Sequence, residues 1–258
     1  MSDFLTDISP IELVDGIYLK RNDKLTIYGV NGGKAQGAYN LIKEAKRLNK
    51  KGVVTCGSRH SPQCKLVGII SNREGIECHL FMPVGDSTET LECISKLDNC
   101  KIHRLNKGWT SQIIKGARDF SIKEDYYLIP FGMKCRENIN LISKQVQNVP
   151  KHIKRIVVPI GSGVTFCGVL KGVHDYKLNC EVIGVQTGAN SEKFIMMNRP
   201  ILSSIKYKIH TFEPNLIPKE RYVTEVFEKI GDVELNPLYE GKCRKFIKPG
   251  DLFWIVGK

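Results

Sequence analysis

At 258 residues the chain is long enough for one large domain or two modest ones. With 41% hydrophobic residues it can bury a full core, which excludes a disordered or low-complexity protein. No apolar run approaches the roughly 20 residues of a membrane span, so a membrane protein is not expected.

The formal net charge of +12 predicts attraction to phosphates, anionic metabolites or nucleic acid. The basic residues are nevertheless spread along the chain, with short clusters at Lys43 to Lys51 and Lys151 to Arg155, as on a diffuse solvated surface. The nine cysteines include no C-x-x-C pair, and the acidic, polar start MSDFLTDISP is unlike a signal peptide. Together these predict reduced thiols and a cytoplasmic location. Cys100 and His103 have a ligand-like gap, but no second pair answers them, and no metal site is expected.

In chain order, Ile17 to Lys20 reads as a strand leading toward Asn31-Gly32-Gly33-Lys34. From Ala35 to Asn49 good helix formers dominate, and Ala38, Leu41, Ile42, Ala45 and Leu48 recur at three- and four-residue steps as one buried stripe. Lys34 therefore falls in the first helical turn, where its charge opposes the helix dipole. That position suits a lysine needed at low pKa or held in a covalent bond; a solvated loop lysine is the plain alternative. A Walker phosphate loop does not fit, because Tyr28 stands at the place of its first glycine and Ala35 at its Ser/Thr.

Gly52 to Thr55 reads as a buried strand, followed by Gly57-Ser58-Arg59-His60-Ser61 and a helix from Pro62 to about Asn72 with Ser61 as N-cap. A strand from Glu77 to Met82 stops at Pro83, and Asp86 or Ser87 caps a helix to about Leu97. Lys101 to Leu105 reads as strand, Thr110 to Phe120 as helix and Tyr126 to Ile129 as strand. Beyond Pro130 come a helix over 135–147, a strand over 154–159, a glycine loop, a helix over 164–175 and a strand over 180–186. The signal from Ser191 to Pro218 is poor; a helix near Pro218 to Ile230 and a strand from Leu252 to Val256 close the chain. This rhythm predicts an α/β protein with parallel sheets covered on both faces. Boundaries near 50 and 130 predict a larger domain of 1–50 and 130–258 with 51–129 inserted as a smaller one.

The run Ile156-Val157-Val158-Pro159-Ile160 enters Gly161-Ser162-Gly163-Val164-Thr165 and then a helix. Strand, glycine turn and helix N-terminus form an anion cradle of backbone N–H groups. A dinucleotide does not fit: Phe166 stands where a third glycine is needed, and Gln186-Thr187 rather than an acid closes the next strand. A single phosphate fits better. One phosphate loop and one glycine-presented lysine suggest pyridoxal phosphate, whose aldehyde needs an amine and whose phosphate needs a fixed cradle.

Four segments in order resemble the tryptophan-synthase-β-like pyridoxal-phosphate enzymes (fold type II), in particular the branch of 1-aminocyclopropane-1-carboxylate deaminase and D-cysteine desulfhydrase. They are Gly32-Gly33-Lys34-Ala35-Gln36, Thr55 to Gln63, Gly161 to Thr165 and Leu235-Asn236-Pro237-Leu238-Tyr239-Glu240-Gly241-Lys242. The resemblance implies two open, twisted parallel sheets flanked by helices and a homodimer. It implies that Lys34 holds pyridoxal 5'-phosphate as a Schiff base and later moves a substrate proton. Gly161, Ser162, Gly163, Val164 and Thr165 would hold the phosphate, and Glu240 would face the pyridine nitrogen. Ser61 would receive the substrate carboxylate, and Tyr239 would act beside the substrate as an acid or base.

The Tyr-Glu pair resembles the deaminase side of the branch. The departures are Pro62 where an asparagine is expected, Val164 where the loop has a second glycine, Asn31 ahead of the glycines, and a sequence that closes at Gly257-Lys258 with pocket loops expected to be reduced. Tyr18, Arg59, His60, Lys134 and Gln186 are further candidates for the pocket, each with an ordinary surface or core role as alternative. The expected reaction is a lyase or deaminase step on an amino acid. The strong positive charge leaves open an amino-acid-modified nucleotide or nucleic acid as substrate (base hypermodification), and Pro62 leaves open a non-catalytic cofactor-binding module.

Overall fold

The computed structural model describes residues 4–59, 61–106, 110–188, 190–198 and 205–257. The first half contains β1 (Ile11–Val14), β2 (Ile17–Arg21), β3 (Thr26–Ile27), β4 (Val30–Asn31), α1 (Gly33–Arg47), β5 (Gly52–Cys56), α2 (Pro62–Arg73), β6 (Glu77–Pro83), α3 (Glu89–Ile94), β7 (Cys100–Leu105), α4 (Thr110–Glu124) and β8 (Tyr127–Leu128). The second half contains α5 (Arg136–Lys144), β9 (Arg155–Ile160), α6 (Val164–Asp175), β10 (Glu181–Gln186), α7 (Glu192–Asn198), β11 (Tyr207–Thr211), α8 (Pro218–Val223), β12 (Lys229–Ile230), β13 (Val233–Glu234) and β14 (Leu252–Ile255). None of the described helices is long and apolar enough to cross a membrane.

Packing divides the chain into two compact units, Met1–Leu25 with Lys134–Lys258, and Thr26–Met133. The first boundary thus lies at residue 25 and not near 50. The cause is α1, whose buried Ala38, Leu41, Ile42 and Ala45 need a partner, and which packs on α2 and on β3, β4 and β5 of the inserted unit. Leu48 leaves the expected stripe, because the helix ends there and the side chain is exposed.

The larger unit is built on a six-stranded sheet of order β1-β2-β14-β9-β10-β11. β1 runs antiparallel to β2, and the other neighbours are parallel. Side chains alternate across it with the strand period of two. Ile156, Val158 and Ile160 face α6 through Phe166, Cys167 and Leu170, while Val157, Ile183 and Phe253 face Leu235, Cys243 and Ile247. Both faces are buried, which explains why β9 reads as an almost unbroken apolar run.

The inserted unit carries an all-parallel sheet of order β7-β6-β5-β8. Val54, Cys56 and Phe81 pack on Ile113 and Ala117 of α4, while α2 packs against β5, β6 and β7. The open α/β architecture expected from the sequence is therefore present in each unit. The poorly patterned stretch contains α7 and the edge strand β11, and α8 is a single short segment followed by a β12–β13 ribbon rather than a helix to Ile230.

Candidate active site

The glycine loop lies at the carboxyl end of β9, the edge of a parallel sheet where α/β proteins bind ligands. Gly163 is the N-cap of α6 with φ 90°, and a Cβ there would meet Phe194 and Ile195 at 3.2 Å. Val164 is already helical and its side chain is buried in the core, so the β-branched residue is accommodated without a second loop glycine. No side chain caps the helix, which leaves its first N–H groups open to an anion. Ser162 and Thr165 are half-buried beside them. The loop is braced from the end of β10 and the segment after it: Ser191 Oγ donates to Gly161 O at 2.7 Å, and Gln186 donates to Ile160 O at 3.2 Å while accepting from Ser191 N at 3.3 Å. Gln186 therefore supports the loop from within the core.

Tyr239 and Glu240 belong to the same unit. Tyr239 touches Gly161, and its hydroxyl donates to Tyr222 Oη at 3.4 Å. Burial raises its phenol pKa further above neutrality. Glu240 is fully buried, and its Oε1 accepts from the N–H groups of Val256 at 2.8 Å and Gly257 at 3.2 Å. Its Oε2 is buried with no partner among the described residues, and burial pushes the carboxyl up to about 7 against the pull of those backbone donors. An unpaired buried acceptor is costly, and its presence points to a donor supplied by a ligand. Lys242, buried two residues on, donates to Thr187 O at 3.2 Å, Arg221 O at 2.6 Å and Tyr222 O at 3.0 Å. It ties the Tyr239–Glu240 turn to the segment after β10 and to the end of α8.

Lys34 and Ser61 belong to the inserted unit. Lys34 is the second residue of α1, whose N-cap Gly32 takes φ 106° and whose first turn holds no acid to offset the charge. The residue is exposed to solvent, yet protein crowding its amine lowers the pKa by desolvation. Ser61 is the N-cap of α2 and accepts from Cys64 N at 3.4 Å, while Pro62 occupies the first turn, where no N–H is missed. The Ser61 hydroxyl keeps its own proton to donate. Gly57 is required beside it, since a Cβ there would lie 2.4 Å from Ser61 Oγ.

Sequence reasoning missed Gln63, which is buried and donates to Thr55 Oγ1 at 2.8 Å and Pro130 O at 2.9 Å, and it missed Ser191 and Tyr222. Arg59 is turned onto Asp86 O at 2.8 Å, and His60 lies outside the described residues. Tyr18 is in register with Leu252 and bonds His152, at the amino ends of the strands and away from the glycine loop. Cys100 and His103, three apart on β7, face opposite sides of the sheet, with Cys100 near Gly68 O and His103 on His79. Among the described residues no group of three or more metal-ligating side chains is gathered.

The open α/β sheets, parallel except for the edge strand β1, with a glycine turn and uncapped helix after β9, are those of the tryptophan-synthase-β-like class, fold type II. A family model described as "Pyridoxal-phosphate dependent enzyme" matches residues 5–210, and the chain belongs to that family. Its relatives include a "Putative 1-aminocyclopropane-1-carboxylate deaminase" of Pyrococcus abyssi, 23% identical over 93% of this chain and 82% of that protein. A protein of the same name from Thermotoga maritima is 25% identical over 88% of this chain and 81% of its own length. Among solved structures, an ACC deaminase homologue superposes with a TM-score of 0.81 at 17% identity, covering 99% of this chain and 90% of the other. Threonine deaminase isoform 2 of Solanum lycopersicum gives 0.69 at 18% identity, with 99% and 85% covered.

Proposed function

We propose that the chain is a pyridoxal-phosphate-dependent lyase or deaminase acting at the α-carbon of an amino acid. The observation that carries this reading is the buried, unpaired Oε2 of Glu240, in the same unit as an uncapped glycine-loop helix that Tyr239 touches. A carboxyl that can share one proton and a cradle for one phosphate are what the ring nitrogen and phosphate of pyridoxal phosphate require.

When bound, the cofactor draws electrons from the substrate α-carbon, and the protein supplies position and protons. The N–H groups of the Gly161–Thr165 turn would hold the phosphate, with the Ser162 and Thr165 hydroxyls beside them. Glu240 would share a proton with the ring nitrogen at Oε2, because Oε1 is already engaged by two backbone donors. Lys34 would be the covalent anchor and then the base at the α-carbon, a role helped by an amine whose pKa is lowered. The Ser61 hydroxyl and the first turn of α2 receive the substrate carboxylate. Tyr239, held protonated by its raised pKa, is suited to offer a hydrogen bond beside the substrate and not to accept a proton. The names of the relatives and structural neighbours favour 1-aminocyclopropane-1-carboxylate and threonine as first substrates to try.

The test is borohydride reduction of the purified protein with pyridoxal phosphate, followed by peptide mapping. A single reduced adduct on Lys34 is expected, together with ammonia release from one of those amino acids. An adduct confined to another lysine overturns the role of Lys34, and no adduct at all overturns the cofactor reading.

A further inference from the structure

The loop read as the phosphate site contains no cation of its own: Gly161, Ser162, Gly163, Val164 and Thr165 are all neutral. Backbone N–H groups supply partial charges only, so a cation reaching in from outside the loop would strengthen its hold on a phosphate. The helix pair α5–α6 shows where from.

α5 and α6 run side by side in the same direction. A Cβ at Gly168 would meet Ile142 at 2.5 Å and Ile139 O at 3.1 Å, and one at Gly172 would meet Val146 at 2.4 Å and Ser143 O at 2.7 Å. The contacts climb both helices together, four residues at a time, so the two helices keep a fixed register. Extended one step further back, the same spacing brings Cys135, the N-cap of α5, level with Val164, the first residue of α6. The segment entering α5 is thereby delivered to the glycine loop, and its last residue but one is Lys134.

Lys134 is half-buried, and its Nζ sits 5.3 Å from the ring centroid of Phe194. Phe194 is the ring that a Cβ on Gly163 would touch at 3.2 Å. Among the described residues no carboxylate lies within ion-pair distance of this amine, although many other surface lysines have one, such as Lys46 with Glu74 and Lys65 with Glu89. Desolvation lowers its pKa without a compensating charge nearby. A partly desolvated ammonium resting on an aromatic face is a cation whose strongest partner is missing.

We propose that Lys134 is the charge complement of the glycine loop: its ammonium group moves from Phe194 onto the phosphate held at Gly161–Thr165 and sets the preference of the site for a phosphorylated ligand. This rests on the reading of the loop as a phosphate site. Lys134 is a binding residue toward that phosphate and takes no part in the proton transfers assigned above.

The test compares binding of pyridoxal 5'-phosphate and of pyridoxal, which lacks the phosphate, to wild type, Lys134→Met and Lys134→Arg by equilibrium dialysis. Thermal shifts with inorganic phosphate serve as a second readout. K134M is expected to bind the phosphorylated ligand about tenfold more weakly and pyridoxal unchanged, to lose the phosphate-induced thermal shift, and to be largely restored in K134R. An unchanged preference for the phosphorylated ligand in K134M overturns the role of Lys134 while leaving the loop assignment standing. An equal loss toward both ligands likewise overturns it, since that is the mark of a structural defect. Wild type that responds to neither the phosphorylated ligand nor inorganic phosphate overturns the loop assignment and this inference together.

Discussion

Gly161 and Tyr239 are in direct contact: a Cβ placed on Gly161 would come within 2.9 Å of Tyr239 Cε1 and 3.6 Å of Cδ1. Gly161 does not need a left-handed backbone, so it is the tyrosine ring that excludes a side chain there. Gly161→Ala should push the ring aside and weaken binding of pyridoxal phosphate by about tenfold, in line with the 1–3 kcal/mol typical of overpacking. Most of that loss should return in the double variant with Tyr239→Ala, and dialysis of the four proteins measures the coupling directly. Strictly additive losses would mean that Gly161 is needed for another reason.

Glu240 gives a pH dependence that can be signed in advance. Its carboxyl rises from the usual 4.5 to about 7 in the folded protein, so between these values the folded state binds more protons than the unfolded one. Stability of the cofactor-free protein should therefore fall as pH rises from about 4.5 to about 7, by on the order of 3 kcal/mol from this group. Urea unfolding at pH 5 and pH 8 should show a markedly smaller difference in Glu240→Gln than in wild type. Equal differences in the two proteins would remove the shifted carboxyl from the account.

Lys242 should matter to stability more than to any single contact. Lys242→Met leaves three carbonyls, those of Thr187, Arg221 and Tyr222, without their shared donor, the first two of them buried. A loss of about 3 kcal/mol in urea unfolding is expected at pH 7. Pyridoxal-phosphate affinity should fall as well, because the Tyr239–Glu240 turn loses its tie. A variant within about 0.5 kcal/mol of wild type would show that the lysine is not that tie.

Ser61 separates capping from substrate binding. Ser61→Ala should cost about 1 kcal/mol of stability through the lost cap, and Ser61→Asp should largely restore it. If Ser61 also receives the substrate carboxylate, the Asp variant should raise the KM for an amino acid more than the Ala variant does, by charge repulsion. Equal KM values in the two variants would leave Ser61 with the cap alone.

What was legible in the sequence was local chemistry. The stripe of α1 and the place of Lys34 in its first turn follow from spacing, and Ser61-Pro62 announces the start of α2 by residue type alone. The glycine loop was readable because a strand, two glycines and a helix are contiguous. The domain boundary was not, since nothing local to residue 25 records that α1 buries its stripe against α2. Ser191 and Gln63 were hidden for the same reason: each acts on a backbone carbonyl 30 or more residues away. Lys242 stood inside a recognised segment, yet a lysine there reads as solvated, and only the fold shows three carbonyls converging on its amine. The helix expected to reach Ile230 fails after Val223, and Gly231 with φ 54° turns the chain into a short ribbon instead.

The placement of β14 bears on how the protein is made. Leu252–Ile255 lies between β2 and β9, in the interior of the six-stranded sheet. An emerging chain has every strand of the inserted unit available once Leu128 is exposed, and that unit can close early. The larger sheet stays in two halves, with β2 and β9 each offering an unpaired edge, until about residue 255 has left the ribosome. The long wait between those events is the interval in which this protein is most open to mispairing with its neighbours, and it is the stage at which a chaperone would matter.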